Sequence, residues 1–544
     1  MDKSFVISGK VVDLNQRKIL NADVVVSNGV IEDIRESDKE YKNYILPGFV
    51  DSHVHIESSM LTPSNFARIA VQHGTVATVS DPHEIANVMG VDGVEFMIEN
   101  GKKTPFKFHF GAPSCVPATP FESSGAVIDS EKIKQLLNNK DIYFLAEMMN
   151  FPGVINNDEE VLKKIKHAHN AGKPIDGHAP GLTSKGLKKY AEQNISTDHE
   201  CTTLEEALEK IKQGIIIQIR EGSAAKNFNN LFPLVHSHPD MIMFCTDDCH
   251  PNDLIKGHMN KIVARAIAGG ADLFDVLNAA ITKPVKHYGL NVGLLQPGDP
   301  ADFIVTTDLI RFEVEKTFIN GSLVFNDGKS LIPVIKEKPA NSFNAKKIKV
   351  NDIAIKAKGK KINVIVAKDG DLVTGKEVAK AKIHNDMAVS DVENDILKIV
   401  VVNRYTPSEP AVGLIKNFNL KKGAIAGSIA HDSHNIIAIG TNDDDIVNAV
   451  NTIIDSKGGI VACNNNEVEL LELDVAGLMS REEAELVAKK YDAVSQKAKE
   501  FGSKLNAPFM TMAFMALLVI PDLKIGDKGL FDVSKFEFTS LFID

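Results

Sequence analysis

The sequence predicts an α/β protein built around a closed barrel of parallel strands. Short apolar runs alternate with helical stretches from residue 47 to residue 289, strand-like segments flank that region on both sides, and polar side chains follow several of the apolar runs. Alternating strands and helices imply parallel strands with right-handed crossovers. Over this length, the TIM-type (β/α)8 barrel is the leading interpretation. An open doubly wound sheet is the alternative, and the absence of G-x-G-x-x-G after the first strand disfavours it.

The alternation can be followed along the chain. Its strand-like runs are Gly74–Ser80, Ile142–Glu147, Pro174–His178, Asn194–His199, Ile215–Arg220 and Met241–Thr246. Its helical stretches are Asp92–Asn100, Asp158–Ala171, Leu204–Gln213, Asp253–Ala268 and Asp272–Ala280.

Short strands with Asn-Gly turn signals lie on both sides of the barrel region. We expect residues 1–46 and 290–335 to form one small β-sandwich domain, with the barrel (47–289) inserted into it. A lysine-rich linker then leads to a C-terminal α/β domain, residues 345–544.

Composition excludes several classes of protein. The net charge of -11 argues against a nucleic-acid-binding face, which would be basic. The apolar run Phe509–Ile520 is shorter than the roughly 20 residues that span a bilayer, and the N-terminus lacks a signal-peptide core. The 5 cysteines are scattered, so we expect no disulfide framework and a reducing, cytoplasmic location without membrane or nucleic-acid partners.

The strongest chemical signal is PGFVDSHVHIESS, residues 47–59. His53 and His55 are two residues apart, and on a strand this spacing places both imidazoles on one face. Because an apolar strand ends there, both rings can reach one metal ion at the mouth of the barrel.

Further potential ligands stand at later strand ends, where a TIM barrel places its active site. They are Glu147 after IYFLA, His178 after PIDG, His199 after NISTD, and Asp247 after MIMFCT. The imidazole and carboxylate donors suit zinc, iron or manganese better than a thiolate-based structural site.

The chain resembles the amidohydrolase superfamily, and within it most closely the adenine deaminases. The segments that carry the resemblance are 47–60, SDPHEIANVMG (80–90), AEMMNFPGV (146–154), DGHAPGL (176–182), STDHE (196–200), IREGSAAKN (219–227), CTDDCHP (245–251) and LQPGDPADFIV (295–305). The resemblance covers essentially the full length.

The resemblance implies a binuclear divalent metal centre, with Mn²⁺ or Fe²⁺ favoured over Zn²⁺. By this resemblance, His53, His55 and Asp247 bind one ion, and His178 and His199 bind the second. Glu147 stands where many superfamily members have a carbamylated lysine, and a glutamate can bridge two cations directly.

The implied reaction is hydrolytic deamination of adenine to hypoxanthine and ammonia, in purine salvage, by a homodimer. Metal ions would activate a water, and Asp247 is placed to move a proton from that water to the departing ammonia. Glu221 is the candidate donor to the ring nitrogen, with Arg220 as its rival. One alternative is hydrolysis of a cyclic amide or amidine on the same barrel, which Glu147 and the IREGSAAKN stretch disfavour. The other is a non-catalytic scaffold, which should have lost ligands, whereas none of the expected set is missing here.

Other polar residues remain open. Asp248 competes with Asp247 as the ligand, although Asp247 comes first after the apolar run. Asp81, His83 and His250 are candidates for substrate binding or for supporting the ligands. Surface positions are expected for His167, His169, His236, His238 and His258. His431 and His434 can belong to a loop near the barrel mouth or to an ordinary turn.

Overall fold

The computed structural model describes residues 4–223 and 225–543. The chain forms two compact units. The first contains residues 1–82, 95–114 and 129–336, and the second contains residues 83–94, 115–128 and 337–544. The second unit therefore starts close to the expected boundary and also includes two short segments from the region expected to be barrel.

The first unit contains the strands of the small sheet and of the barrel. Its strands are β1 (Phe5–Asp13), β2 (Lys18–Ser27), β3 (Val30–Glu36), β4 (Tyr44–Pro47), β5 (Phe49–His55), β6 (Thr75–Ser80), β7 (Lys107–Ala112), β8 (Ile142–Met148), β9 (Ile175–Gly177), β10 (Thr197–Asp198), β11 (Ile216–Arg220), β12 (Ile242–Cys245), β13 (Asp247–Asp248), β14 (Phe303–Thr306), β15 (Val314–Ile319), β16 (Ser322–Asn326) and β17 (Lys329–Ser330).

Strands β5 to β13 form the predicted barrel. One sheet has the order β13-β5-β6-β7-β8-β9 and a second has the order β10-β11-β12, with all pairings parallel. A parallel bridge between Ile175 and Ile195 links β9 to the segment before β10, and only Thr246 separates β12 from β13. The ring of strands is thereby closed, which confirms the predicted barrel.

The α-helices alternate with the barrel strands and recur in the second unit. They are Pro63–Ala70, His83–Met89, Val91–Gly101, Ser130–Leu137, Phe151–Ile155, Glu159–Asn170, Ser184–Ala191, Leu204–Lys212, Phe228–Leu231, Pro233–Ser237, Pro251–Leu254, Met259–Ala268, Leu273–Leu277, Lys283–Tyr288, Asp443–Ser456, Ala484–Glu500 and Pro508–Ala513. Among the described residues, no helix combines the length and apolar character that a membrane crossing requires.

One predicted helix is divided in two. Residues 253–268 were expected to form a single helix, but the structure has a short helix that ends at Leu254 and a second that begins at Met259. Gly257 and His258 lie between them, and His258 has φ -136° and ψ -135°, which is incompatible with a continuous helix.

The segments before and after the barrel form one mixed sheet with the order β17-β16-β15-β14-β4-β1-β2-β3. The junction between the two segments is the antiparallel pairing of β14 with β4. Val11, Val24, Phe303 and Phe318 share one buried core, so strands from before and after the barrel contribute to the same core.

The second unit is an α/β domain, as expected. Its strands are β18 (Ile355–Lys356), β19 (Lys361–Val366), β20 (Gly375–Lys380), β21 (Ile383–His384), β22 (Met387–Ala388), β23 (Ile396–Val402), β24 (Ala411–Lys416), β25 (Ala424–Gly427), β26 (Ile436–Gly440), β27 (Gly459–Asn464), β28 (Glu467–Glu472), β29 (Leu523–Gly526), β30 (Gly529–Asp532), β31 (Glu537–Phe538) and β32 (Phe542–Ile543). The main sheet has the order β20-β19-β24-β23-β26-β25-β27-β28, with β32 beside β19.

A buried ion pair anchors the barrel next to one of the predicted ligands. Lys210 is fully buried, and its Nζ lies 3.0 Å from Asp198 Oδ1 and 2.9 Å from Glu206 Oε1, and it donates to Ala179 O at 2.7 Å. Asp198 immediately precedes His199, so Lys210 holds the end of β10 in place.

Replacing Lys210 with Ala is expected to destabilise the first unit by about 3–5 kcal/mol, because it leaves two buried carboxylates without their cation. The measurement is the first unfolding transition in urea. Lys212→Ala, on the exposed face of the same helix, is the control. If Lys210→Ala and Lys212→Ala unfolded at the same urea concentration, the ion pair would not anchor β10.

Candidate metal centre

Six side chains converge at the carboxyl edge of the barrel. They are His53, His55, Glu147, His178, His199 and Asp247, called here the barrel cluster, and each is at least nine-tenths buried. Each belongs to a barrel strand or directly follows one, as the sequence predicted.

His53 and His55 face each other at the end of β5. Their Nε2 atoms are 3.2 Å apart, close to the roughly 3.3 Å expected between two ligands on a tetrahedral cation with metal–nitrogen distances of about 2.05 Å. His55 Nδ1 lies 3.0 Å from the backbone oxygen of Asp81, which orients the ring with Nε2 towards the cluster. Burial lowers the pKa of His53 well below its ordinary value, and His199 and His55 lower it further. His53 is therefore neutral and has a lone pair available for a cation.

Glu147 lies at the centre of the barrel cluster. Its Oε2 is 2.9 Å from His178 Nδ1 and 3.0 Å from His199 Nε2, and its Oε1 is 3.6 Å from His55 Nε2. His53 Nε2 is 3.9 Å from Oε2. One carboxylate thus lies within 4 Å of four imidazoles.

The cluster favours positive charge. Burial alone would lower the pKa of His178, but Glu200 and Glu147 outweigh that effect and raise the pKa to about 9. A divalent cation held by the same atoms would balance these carboxylates as a proton does. Four imidazoles and two carboxylates without a thiolate form a donor set for Mn²⁺, Fe²⁺ or Zn²⁺, so the residues present fit a metal centre.

Of the two adjacent aspartates, Asp247 faces the histidines. Its Oδ1 is 3.2 Å from His55 Nε2 and 3.8 Å from His53 Nε2. Asp247 has φ +56°, and β13 pairs it with Val54 on β5. The carboxylate of Asp248 instead accepts a hydrogen bond from Ser58 Oγ at 2.5 Å. Burial and the charge of Asp247 raise the pKa of Asp248 to about 6.

Arg220 joins Asp247 to Glu200, a residue that the sequence reasoning did not single out. Arg220 Nη1 is 2.6 Å from Asp247 Oδ2 and also contacts Glu200 Oε1, while Nη2 donates to Glu200 Oε2 at 3.2 Å. Glu200 Oε1 is in turn 3.5 Å from His199 Nε2. Burial raises the pKa of Asp247, but Arg220, His55 and His199 outweigh it and hold the pKa well below its ordinary value.

The loop after β11 requires glycine. A Cβ at Gly222 would lie 2.0 Å from the backbone oxygen of Thr246 and 2.4 Å from that of Asp248. Only glycine allows this loop to pack against the turn that presents Asp247. The IREGS segment therefore has a structural reason for its glycine.

Glu221, the sequence-based candidate for the ring-nitrogen donor, pairs with Arg265 Nη1 at 2.6 Å and with Lys226 Nζ at 3.8 Å. Its side chain is 17% exposed, so its carboxylate is committed to a partly exposed ion pair. The other candidate, Arg220, contacts Asp247 of the barrel cluster.

The remaining candidates have different surroundings. A carboxylate oxygen of Asp81 lies within 4.8 Å of ligand atoms of His55 and Glu147. His250 is buried, burial lowers its pKa to about 4, and it precedes the helix that begins at Pro251. His83 belongs to the second unit, where its Nε2 lies 4.0 Å from Asp432 Oδ1.

His258 was expected on the surface, and this expectation was wrong. The residue is buried, with its Nε2 3.1 Å from Asp51 Oδ2 and its Nδ1 2.7 Å from Thr75 Oγ1. His258 lies in the break between two helices, so the expectation of a single helix over 253–268 did not describe its position.

Known proteins resemble the chain over its whole length. Residues 44–324 match the amidohydrolase family, and residues 371–537 match the adenine deaminase C-terminal domain. An adenine deaminase of Methanosarcina barkeri is 53% identical over 543 residues, which cover 98% of both chains. The chain belongs to the adenine deaminase family.

Two further relatives support this membership. An adenine deaminase of Salinibacter ruber is 50% identical over 546 residues, with 100% of each chain covered. One from Borreliella burgdorferi is 51% identical over 542 residues, covering 98% of this chain and 99% of that protein. The family resemblance inferred from the sequence motifs is confirmed.

Arg220→Met is expected to weaken metal binding by about 10–100-fold, because Asp247 and Glu200 lose the guanidinium that orients them. Competition with a metal-binding dye measures the affinity. Arg265→Met, which removes the partner of Glu221, is the matched control and should leave the affinity unchanged. Equal affinities for both variants would mean that Arg220 does not position Asp247.

Proposed function

We propose that the chain catalyses the hydrolytic deamination of adenine to hypoxanthine and ammonia. The observation that carries this proposal is the convergence of four histidines, Glu147 and Asp247 at the barrel mouth, in a chain about half identical to adenine deaminases along its entire length.

His53, His55 and Asp247 would hold one divalent ion, His178 and His199 a second, with Glu147 shared between them. Bound ions would supply Lewis-acid activation of water near neutral pH. We propose Mn²⁺ or Fe²⁺, with Zn²⁺ as a weaker candidate, on the basis of the donor set and the family resemblance. Elemental analysis of the isolated protein distinguishes these metals.

Asp247 would transfer the proton. Its Oδ2 is held by Arg220, which leaves Oδ1 directed towards the histidines. Arg220 keeps the Asp247 carboxylate ionised, so this carboxylate can accept a proton from the attacking water and give it to the exocyclic amino group, which then leaves as ammonia. No other proton carrier is needed for that half of the reaction.

Arg220 is also the better candidate to stabilise negative charge on the purine ring nitrogen. A buried guanidinium can donate a hydrogen bond there without losing its proton, whereas Glu221 would have to be protonated while paired with Arg265. Glu200 would act indirectly, by positioning Arg220.

The location and assembly follow from the same proposal. We propose a cytoplasmic enzyme of purine salvage. The cysteines among the described residues are all buried and form no disulfide, as is usual in a reducing compartment. A homodimer is proposed from the family resemblance, and light scattering in solution tests it.

Mn²⁺-loaded protein is expected to deaminate adenine, and Asp247→Asn to lower kcat by about 10²–10⁴-fold because the proton carrier is lost. A spectrophotometric assay with ammonia release as a second readout measures both. Asp248→Asn, which alters the adjacent carboxylate, should lower kcat far less. Adenosine, cytosine, guanine and cyclic amides are assayed alongside, and turnover of a cyclic amide without turnover of adenine would favour the alternative reaction.

Glu200→Gln and Glu221→Gln separate the two glutamates. We expect Glu200→Gln to lower kcat/KM for adenine by about 10–100-fold, because Arg220 loses its charged partner. The kcat/KM of Glu221→Gln should stay close to that of the parent protein, because the Glu221 carboxylate pairs outside the cluster. If Glu221→Gln lost more kcat/KM than Glu200→Gln, Glu221 would be the better candidate for the ring-nitrogen donor.

A further inference from the structure

A second group of metal-ligand side chains belongs entirely to the C-terminal unit. It consists of Glu84, His431 and His434, called here the C-terminal triad. One ligand atom from each lies within 4.8 Å of the others, and their exposed fractions are 2%, 7% and 0%. Buried histidines and a carboxylate in such proximity require either hydrogen-bond partners or a cation.

The triad joins two segments that are far apart in the sequence. Glu84 lies in the first turn of the helix His83–Met89. His431 and His434 lie in the turn between β25 and β26, at a spacing of i and i+3. The backbone N–H of His434 donates to Ala430 O at 2.7 Å, and His434 adopts φ +54°. The turn therefore holds His434 in the left-handed region, which is uncommon for a residue with a Cβ.

The distances suit one cation. His431 Nδ1 is 3.5 Å from Glu84 Oε1, near the roughly 3.3 Å between two ligands of a tetrahedral zinc ion. The His431 ring stacks on Phe514, with centroids 4.4 Å apart and planes 11° from parallel, so its direction is set by packing. The centroids of the His431 and His434 rings are 5.5 Å apart.

One ring nitrogen of His434 is available for a ligand. Its Nε2 is fully buried and has no hydrogen-bond partner among the described residues. Ligation at Nε2 would move the ring proton to Nδ1 and give up the contact with the Ala430 amide, which at 3.4 Å is already a weak hydrogen bond.

Carboxylates near the triad provide negative charge. Asp432 Oδ1 is 3.9 Å from His431 Nδ1, close enough to supply a fourth ligand after a small rotation. Burial raises the pKa of Glu122 to about 8, and the charges of Asp432 and Asp527 contribute to the increase. A bound cation would relieve this concentration of acidic groups.

We propose that Glu84, His431 and His434 bind a divalent transition-metal ion, with Asp432 or a water as the fourth ligand. Two imidazoles and a carboxylate are a donor set for Zn²⁺ or Fe²⁺. The ion would tie the helix His83–Met89 to the turn 431–434 and so stabilise the C-terminal unit. The argument for this site does not rest on the proposed deamination.

The test is the metal content of the whole chain. Wild type, His434→Ala and the control His384→Ala are loaded with Co²⁺, freed of excess metal, and analysed by mass spectrometry. His384 is an exposed histidine of the same unit, which makes it a matched control. We expect His434→Ala to hold about one equivalent less than His384→Ala, since loss of an imidazole ligand from a three-residue site greatly reduces affinity.

Two further variants keep the test decisive. Glu84→Gln removes a ligand charge while conserving side-chain size, and it replaces His434→Ala if circular dichroism shows that the latter does not fold. In a His53→Ala, His55→Ala background, the difference of one equivalent should persist, because the C-terminal triad does not include barrel residues. Equal Co²⁺ content in His434→Ala, Glu84→Gln and His384→Ala would overturn the proposal.

Discussion

The barrel mouth is organised around one buried carboxylate, Glu147. Its two oxygens lie within 4 Å of imidazoles from His53, His55, His178 and His199. These residues lie in β5 or directly after β9 and β10, and the closing of the parallel strands into a ring brings them to the carboxylate. A buried carboxylate without compensating positive charge would cost several kcal/mol, which makes Glu147 and the histidines mutually dependent.

Charge compensation extends outward from Glu147 through Arg220. The guanidinium lies between Glu200 and Asp247, and its planar fork keeps both carboxylates ionised and oriented. This leaves one oxygen of Asp247 directed at the histidines. Glu221, the next residue in the chain, pairs with Arg265 instead.

The C-terminal unit is built from segments that are far apart in the sequence. It includes residues 83–94 and 115–128, both connected to barrel strands, in addition to residues from 337 onwards. Within it, Ser123 N donates to Asp527 Oδ1 at 2.9 Å and Asn435 Nδ2 donates to Ser123 O at 2.9 Å. These hydrogen bonds attach residues 115–128 to the rest of the C-terminal unit.

By itself, the sequence determined the barrel, the composite small sheet and the positions of Glu147, His178, His199 and Asp247 at strand ends. Those features follow from local periodicity, because a strand ends where its apolar run ends. Only the tertiary structure decided the partner of each side chain. Glu200 joins Arg220, Glu221 pairs with Arg265, His258 turns inward, and His431 meets Glu84, because these contacts depend on strand closure and long-range packing that no local pattern records.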